Sequence, residues 1–272
     1  MMRIAPNRSE LYAFGLVLAT LNALSQRSAV SLEKLGLTGS LFDLFGISVI
    51  FWFALYALVR LALDDEKGAP PRPGDWAVFA GLLSACFIPT HTIAAIALLG
   101  ASAWLFATTS PDEQARRLAI VGLGLTTPLI WGPVLLRLLG EEVLAADAWF
   151  VSLLSGLPRE GNVIQTPDAD FGIVISQACS SLSNISQAIL LVVTVTQLFS
   201  LRLERRTIGM ATAGVCGMVL VNGIRLAAIG LYPEHFTVLH DGLGNVVFSW
   251  VSLLVLMAIV GYGVARAPRA RV

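Results

Sequence analysis

The chain has 272 residues, 56% of them apolar and only 13% charged, where an average soluble domain is roughly 25% charged. With a mean hydropathy of +0.77 it lacks the charge to clothe a soluble surface, and the composition is that of an integral membrane protein. Zero net charge argues against a nucleic-acid partner, and three scattered cysteines are too few for a disulfide framework or a zinc site.

A spanning helix needs about 20 mostly apolar residues. In chain order the candidates run roughly Leu11–Ser25, Leu44–Leu63, Trp76–Phe87, Thr92–Thr108, Leu118–Leu139, Leu182–Leu201, Ile208–Tyr232 and Leu243–Ala265. The third and fourth are short and only residues 88–91 part them, so they read as a tight hairpin or one broken element. Polar Asn22, Gln26 and Arg27 follow the first run where a cleavable signal would carry small residues, so that span is expected to persist in the mature protein. The expected fold is an all-α integral membrane protein, a single polytopic domain over 1–272 with about eight transmembrane helices.

Orientation follows from charge. Basic residues concentrate on alternate loops: Arg3 and Arg8; Arg60, Lys67 and Arg72; Arg116 and Arg117; Arg202, Arg205 and Arg206; and Arg266, Arg269 and Arg271. The positive-inside rule puts these at the cytoplasmic face, with both termini. Arg27, Lys34, Arg137 and Arg159 then fall outside. So does the one long non-spanning stretch, a small extracytoplasmic insert of about residues 140–178 between spans five and six. Its first half mixes acids with Val143, Leu144, Trp149, Phe150, Leu153 and Leu154, as suits a helix in the membrane interface. Its second half, from Asn162 to Ser176, reads as two short β runs around a turn at Pro167–Asp170.

Polar residues in or beside the spans are costly and therefore informative. Arg225 lies in the seventh span, where an arginine at the helix centre costs about 2.5–3.5 kcal/mol. It sits about 10 Å from the outer end at 1.5 Å per residue, so snorkelling is one reading. Asn222 is three residues earlier on the same face, and an Asn–Arg pair points more readily into the bundle than into lipid. Cys179 precedes the sixth span with Ser180, Ser181 and Ser183, at the positive end of a helix dipole that favours thiolate. The plainer readings are inert packing or a Cys86–Cys179 disulfide; Cys216, deep in the seventh span, reads as packing. Of the three histidines (His91, His235, His240), His240 borders the eighth span in the run His240-Asp241-Gly242-Leu243-Gly244. The charge-derived orientation brings Cys179, Arg225 and His240 to one outer face on consecutive spans. That set supplies a thiolate nucleophile, an acid–base group and a cation for an oxyanion. No zinc-protease, serine-elbow or phosphate-loop motif competes, and the spans carry few acids for a proton or cation pathway.

Three patches resemble the exosortase/archaeosortase membrane proteins. They are Gly161-Asn162-Val163-Ile164 leading into Ala178-Cys179-Ser180-Ser181-Leu182; Asn222-Gly223-Ile224-Arg225; and His240-Asp241 with Gly244. The likeness in order and spacing covers about residues 161–264. It implies a multipass cysteine protease or transpeptidase that cuts the C-terminal sorting signal of exported proteins at the outer face of the cell membrane. Its substrates would carry a short motif, a spanning helix and a basic tail. Cys179 would be the nucleophile, His240 the proton-transfer partner and Arg225 the charge stabiliser, with Asn222, Ser180, Ser181 and Asp241 in support and no cofactor or metal. Ser181 stands where the family usually has glycine, which bears on how closely a scissile backbone approaches. A non-catalytic assembly or polysaccharide-export partner and a small-solute transporter lined by Arg225 and Asn222 are the competing readings.

Overall fold

The computed structural model describes residues 6–66, 68–111, 113–166, 172–240 and 243–266. The expected turn at Pro167–Asp170, Asp241, and the basic residues Arg3, Lys67, Arg269 and Arg271 lie outside the described residues. Two compact units are present, one of Met1–Trp131 with Val193–Ser200 and one of Gly132–Val192 with Leu201–Val272.

The first unit is built of helices: α1 (Arg8–Phe42), α2 (Val49–Leu63), α3 (Pro73–Cys86), α4 (His91–Ala107) and α5 (Gln114–Thr126). Helix α1 starts at a capping box: the Asn7 side chain accepts from the Glu10 N–H, and the Asn7 N–H donates to the Glu10 carboxylate. It runs on far beyond the expected first span, to Phe42, with one non-helical residue at Gly36 (φ 66°). The expected third and fourth spans are two separate helices, α3 and α4. Leu16, Phe51, Leu58, Leu98, Leu105 and Leu118 are fully buried and form the core.

Polar chemistry fastens this unit at the start of α1. Arg8, assigned by charge counting to the cytoplasmic face, is only 2% exposed, and Asp75 near the start of α3 is 0% exposed. The guanidinium donates in bidentate fashion to the carboxylate, from Nε to Oδ2 at 2.8 Å and from Nη2 to Oδ1 at 2.9 Å. Tyr12 Oη and Trp104 Nε1 donate to the same carboxylate at 2.9 and 3.0 Å. The Arg72 N–H adds a bond of 2.8 Å, and Arg8 Nη1 reaches the Thr108 carbonyl and Thr109 hydroxyl. Burial alone would raise the Asp75 carboxyl, but these donors outweigh it and hold the group below the usual carboxylate range.

The second unit carries α6 (Gly132–Leu138), α7 (Gly140–Ser155), the strands β1 (Arg159–Glu160), β2 (Val163–Gln165) and β3 (Gly172–Val174), and the start of α8 (Ser181–Leu198). It continues with α9 (Arg205–Leu231), α10 (Phe236–His240) and α11 (Leu243–Arg266). Both expected β runs are present, and β1 adds a third strand that the sequence reading did not foresee. The sheet is antiparallel in the order β1-β2-β3, with Arg159 opposite Ile164 and Ile164 opposite Ile173. Gly161 turns β1 into β2 at φ +57°, a backbone conformation that favours glycine. Strand alternation sends Ile164 and Ile173 inward, where they join Ala148 and Val151 of α7 and Leu226, Ala227 and Ile229 of α9 in one apolar cluster. Cys179 belongs to that cluster.

Among the described residues, four helical stretches are long and apolar enough to cross a membrane: Gln114–Leu138, Ser181–Leu198, Arg205–Leu231 and Val246–Arg266. Val49–Leu63 and His91–Ala107 are shorter apolar helices. The first of the four holds a π-helical turn at Thr127–Trp131, where Pro133 just beyond cannot donate a backbone bond.

Candidate active site

Cys179 closes a short 3-10 turn, Gln177–Cys179, between β3 and α8. Its N–H donates to the Ser176 carbonyl at 3.0 Å, and the Ser180 N–H donates to the Gln177 carbonyl. The thiol is free and 8% exposed. All three cysteines are free, so the disulfide alternative has no counterpart in the structure. Cys216 on α9 is exposed, a correction to its reading as a packing residue.

The thiol meets an imidazole. Cys179 Sγ and His240 Nε2 are 3.7 Å apart, within hydrogen-bond reach for sulfur. His240 ends α10, and its ring stacks on Phe236 one turn earlier, with centroids 4.9 Å apart and planes 9° from parallel. The stack fixes the plane in which Nε2 is presented. His235, the neighbouring candidate, is instead paired with Glu234 at 3.1 Å and exposed, and His91 opens α4 in the other unit.

The motif on α9 holds both sides of this pair. Asn222 is buried and donates from Nδ2 to the Cys179 carbonyl at 2.9 Å and to the Ser181 hydroxyl at 3.3 Å. Ser181 therefore spends the hydroxyl that a glycine would lack on a bond to Asn222. Arg225, three residues on, donates from Nε to the Leu239 carbonyl at 3.3 Å and from Nη2 to the His240 carbonyl at 3.0 Å. A guanidinium on the last carbonyls of a short helix satisfies acceptors that the helix itself leaves open. Gly223 between them is needed for packing: a Cβ there would meet the Phe150 ring at 2.6 Å, so only glycine lets α7 lie this close to α9.

Three further contacts went unseen in the sequence. The Ser176 hydroxyl lies 3.7 Å from Cys179 Sγ as a donor. Asp147 of α7 accepts the Ser181 N–H at 3.0 Å, so a carboxylate already occupies the first turn of α8, where the thiol was expected to sit. The Asn162 side chain donates to the Ile175 carbonyl at 3.0 Å and ties the strand pair to the run leading into Cys179. Ser180 is buried, and its hydroxyl accepts from the Leu182 N–H at 3.2 Å, whereas Ser183 is exposed. Of the expected site residues, Cys179, Ser180, Ser181, Asn222, Arg225 and His240 are thus brought together, and Asp241 lies outside the described residues. No group of three or more His, Cys, Asp or Glu able to hold a metal occurs among the described residues.

Because one lysine ammonium cannot span two carbonyls as a guanidinium fork does, Arg225→Lys is expected to loosen the α10 end. Losing one charge-assisted bond costs about 1.5–3 kcal/mol of stability. Detergent unfolding of the variant beside wild type measures it. An unchanged midpoint would reduce Arg225 to a snorkelling cation.

A thiol and an imidazole in mutual reach, set at the head of an apolar helix and braced by an Asn and an Arg one turn apart, define a membrane protein with the parts of a cysteine–histidine site. Residues 7–258 match the family model described as transmembrane exosortase, and the chain belongs to that family. Comparison with curated proteins and with solved structures finds no match.

Proposed function

We propose that this chain is a membrane-embedded cysteine protease or transpeptidase that cleaves the C-terminal sorting signal of exported proteins at the outer face of the cell membrane. The observation that carries the reading is the 3.7 Å approach of Cys179 Sγ to His240 Nε2. Family membership supports it. In this reading about eight spans put both termini in the cytoplasm, and the segment of α7 and the three strands caps the site outside.

His240 takes the thiol proton, and the Cys179 thiolate attacks the scissile carbonyl carbon. The Ser176 hydroxyl steadies the negative sulfur. Arg225 holds the histidine-bearing turn through Nε and Nη2, while Nη1, which makes no hydrogen bond among the described residues, supplies positive charge for the oxyanion. As the C–N bond breaks, His240 returns the proton to the leaving amine and a thioester to Cys179 remains. An amine or water then attacks the thioester, His240 accepts the incoming proton, and the thiolate leaves to be reprotonated. The substrates are exported proteins with a short motif, a spanning helix and a basic tail. The helix would hold the motif at the depth of the thiol, in a geometry that converts a bimolecular encounter into a unimolecular step.

Sidedness is tested by labelling intact cells with a small, membrane-impermeant thiol reagent in a Cys86→Ala, Cys216→Ala background. The expected result is modification of Cys179 from outside, with processing lost in parallel. Modification only after the cytoplasmic face is opened contradicts the outer site.

A further inference from the structure

We propose that a trough between α9 and α11, at the end opposite the thiol along α9, binds an anionic phospholipid through Arg206 and Arg266. The trough has a volume of about 840 Å³, within the range of about 300–1,000 Å³ typical of small-ligand sites. Its wall is apolar: Ala213 of α9 and Ala258 and Ile259 of α11. Met210 lies buried across Gly263, where a Cβ would collide with its Sδ, so the two helices close the trough's floor.

The mouth carries two cations and no matching acid. Arg206 Nη1 donates to the Arg266 carbonyl at 3.3 Å, which holds the Arg206 side chain across the gap between the helices. The Arg266 guanidinium lies over the Tyr262 ring, 4.4 Å from its centroid. Neither arginine forms an ion pair among the described residues. Two like charges lining one mouth disfavour each other, and an anion bound there offsets that repulsion.

Charge complementarity and surroundings together select the occupant. In the most apolar window of Val246–Arg266 on α11 only 11% of the residues are buried, which leaves this helix face free to meet the bilayer. The trough therefore opens where acyl chains are the solvent, with its basic mouth at the headgroup level. Basic pockets between transmembrane helices are a recurrent form of lipid headgroup recognition. A phosphodiester between the two guanidinium groups, with an acyl chain along Ala213, Ala258 and Ile259, satisfies both halves of the trough. A zwitterionic lipid would bring its own ammonium to the same mouth. This inference depends on the membrane location and not on the chemistry proposed for Cys179.

The test is lipid retention by the full chain, extracted from vesicles of equal phosphatidylglycerol and phosphatidylcholine and read by native mass spectrometry. Wild type should retain phosphatidylglycerol roughly 30-fold over phosphatidylcholine, given roughly 1 kcal/mol for each of the two arginines at the surface. The Arg206→Gln, Arg266→Gln pair should lose that preference, and the control pair Arg202→Gln, Arg205→Gln should keep it. Ala213→Leu, which fills the trough without changing charge, should lower retention of phosphatidylglycerol. Absence of preference in wild type, or equal loss in both glutamine pairs, would overturn the site in favour of general surface charge.

Discussion

Replacing Cys179 with alanine is expected to abolish processing of an exported substrate while leaving the protein in the membrane at its normal level. The side chain is small, and its polar contacts are the long ones to Ser176 and His240, so alanine removes the chemistry while keeping the Cβ packed in the apolar cluster. A serine at the same position keeps the shape but is a far weaker nucleophile next to a histidine placed 3.7 Å from sulfur, and it too should be inactive. Loss of a nucleophile removes the covalent route itself, on the order of 10⁶-fold in a catalytic unit of this kind. Processing is followed by the size shift of the substrate, and membrane level by immunoblot of the variant. His240→Ala serves as the companion, since the two groups act as a unit and their effects should not add.

The second large effect lies in the other unit and concerns stability. Asp75→Ala strands the Arg8 guanidinium in a site where it is 2% exposed. Breaking a buried ion pair by removing one partner costs about 3–5 kcal/mol, whereas replacing both members with apolar residues is often neutral. The expectation is therefore a large loss for Asp75→Ala in detergent unfolding, and substantial recovery in Arg8→Met, Asp75→Leu. Failure of the single variant to destabilise would mean that the carboxylate is dispensable. A pH dependence follows from the same pair. Because the folded carboxyl lies below its ordinary value of 3.8, its contribution is fully present above that pH. It is lost as pH falls through the lower, folded value. Wild type should thus lose stability below about pH 4, and Asp75→Asn should flatten that part of the curve.

The contrast between these two sites marks what is legible in a single sequence. Asn222 and Arg225 were readable because helical spacing and the cost of a cation in an apolar span both require an explanation. Cys179 and His240 were readable because each stands beside a span amid serines or glycines. Arg8 and Asp75 were not. Counting basic residues assigns Arg8 a side of the membrane and no partner, and only tertiary packing brings it to a carboxylate 67 positions away. Asp147 and Ser176 were missed for a related reason: an aspartate on a surface-like helix and a serine after a strand carry no local signal that one accepts the Ser181 N–H and the other faces a thiol. The length of α1 was missed because polar residues after Ser25 end the hydropathic run without ending the helix. Asn162 was noted only as part of a motif, yet its side chain ties the β1–β2 turn to Ile175, just ahead of the turn that presents Cys179.

The most direct measurement is the chemical identity of the bond formed at residue 179. Acid-quenched membranes holding the chain and an exported substrate, digested and read by mass spectrometry, should yield a thioester between Cys179 and a substrate fragment ending at the cleavage point. It should be cleaved by hydroxylamine and absent in Cys179→Ala. Substrate processed at the normal rate by Cys179→Ala, or an acyl group carried on another residue, would contradict the account.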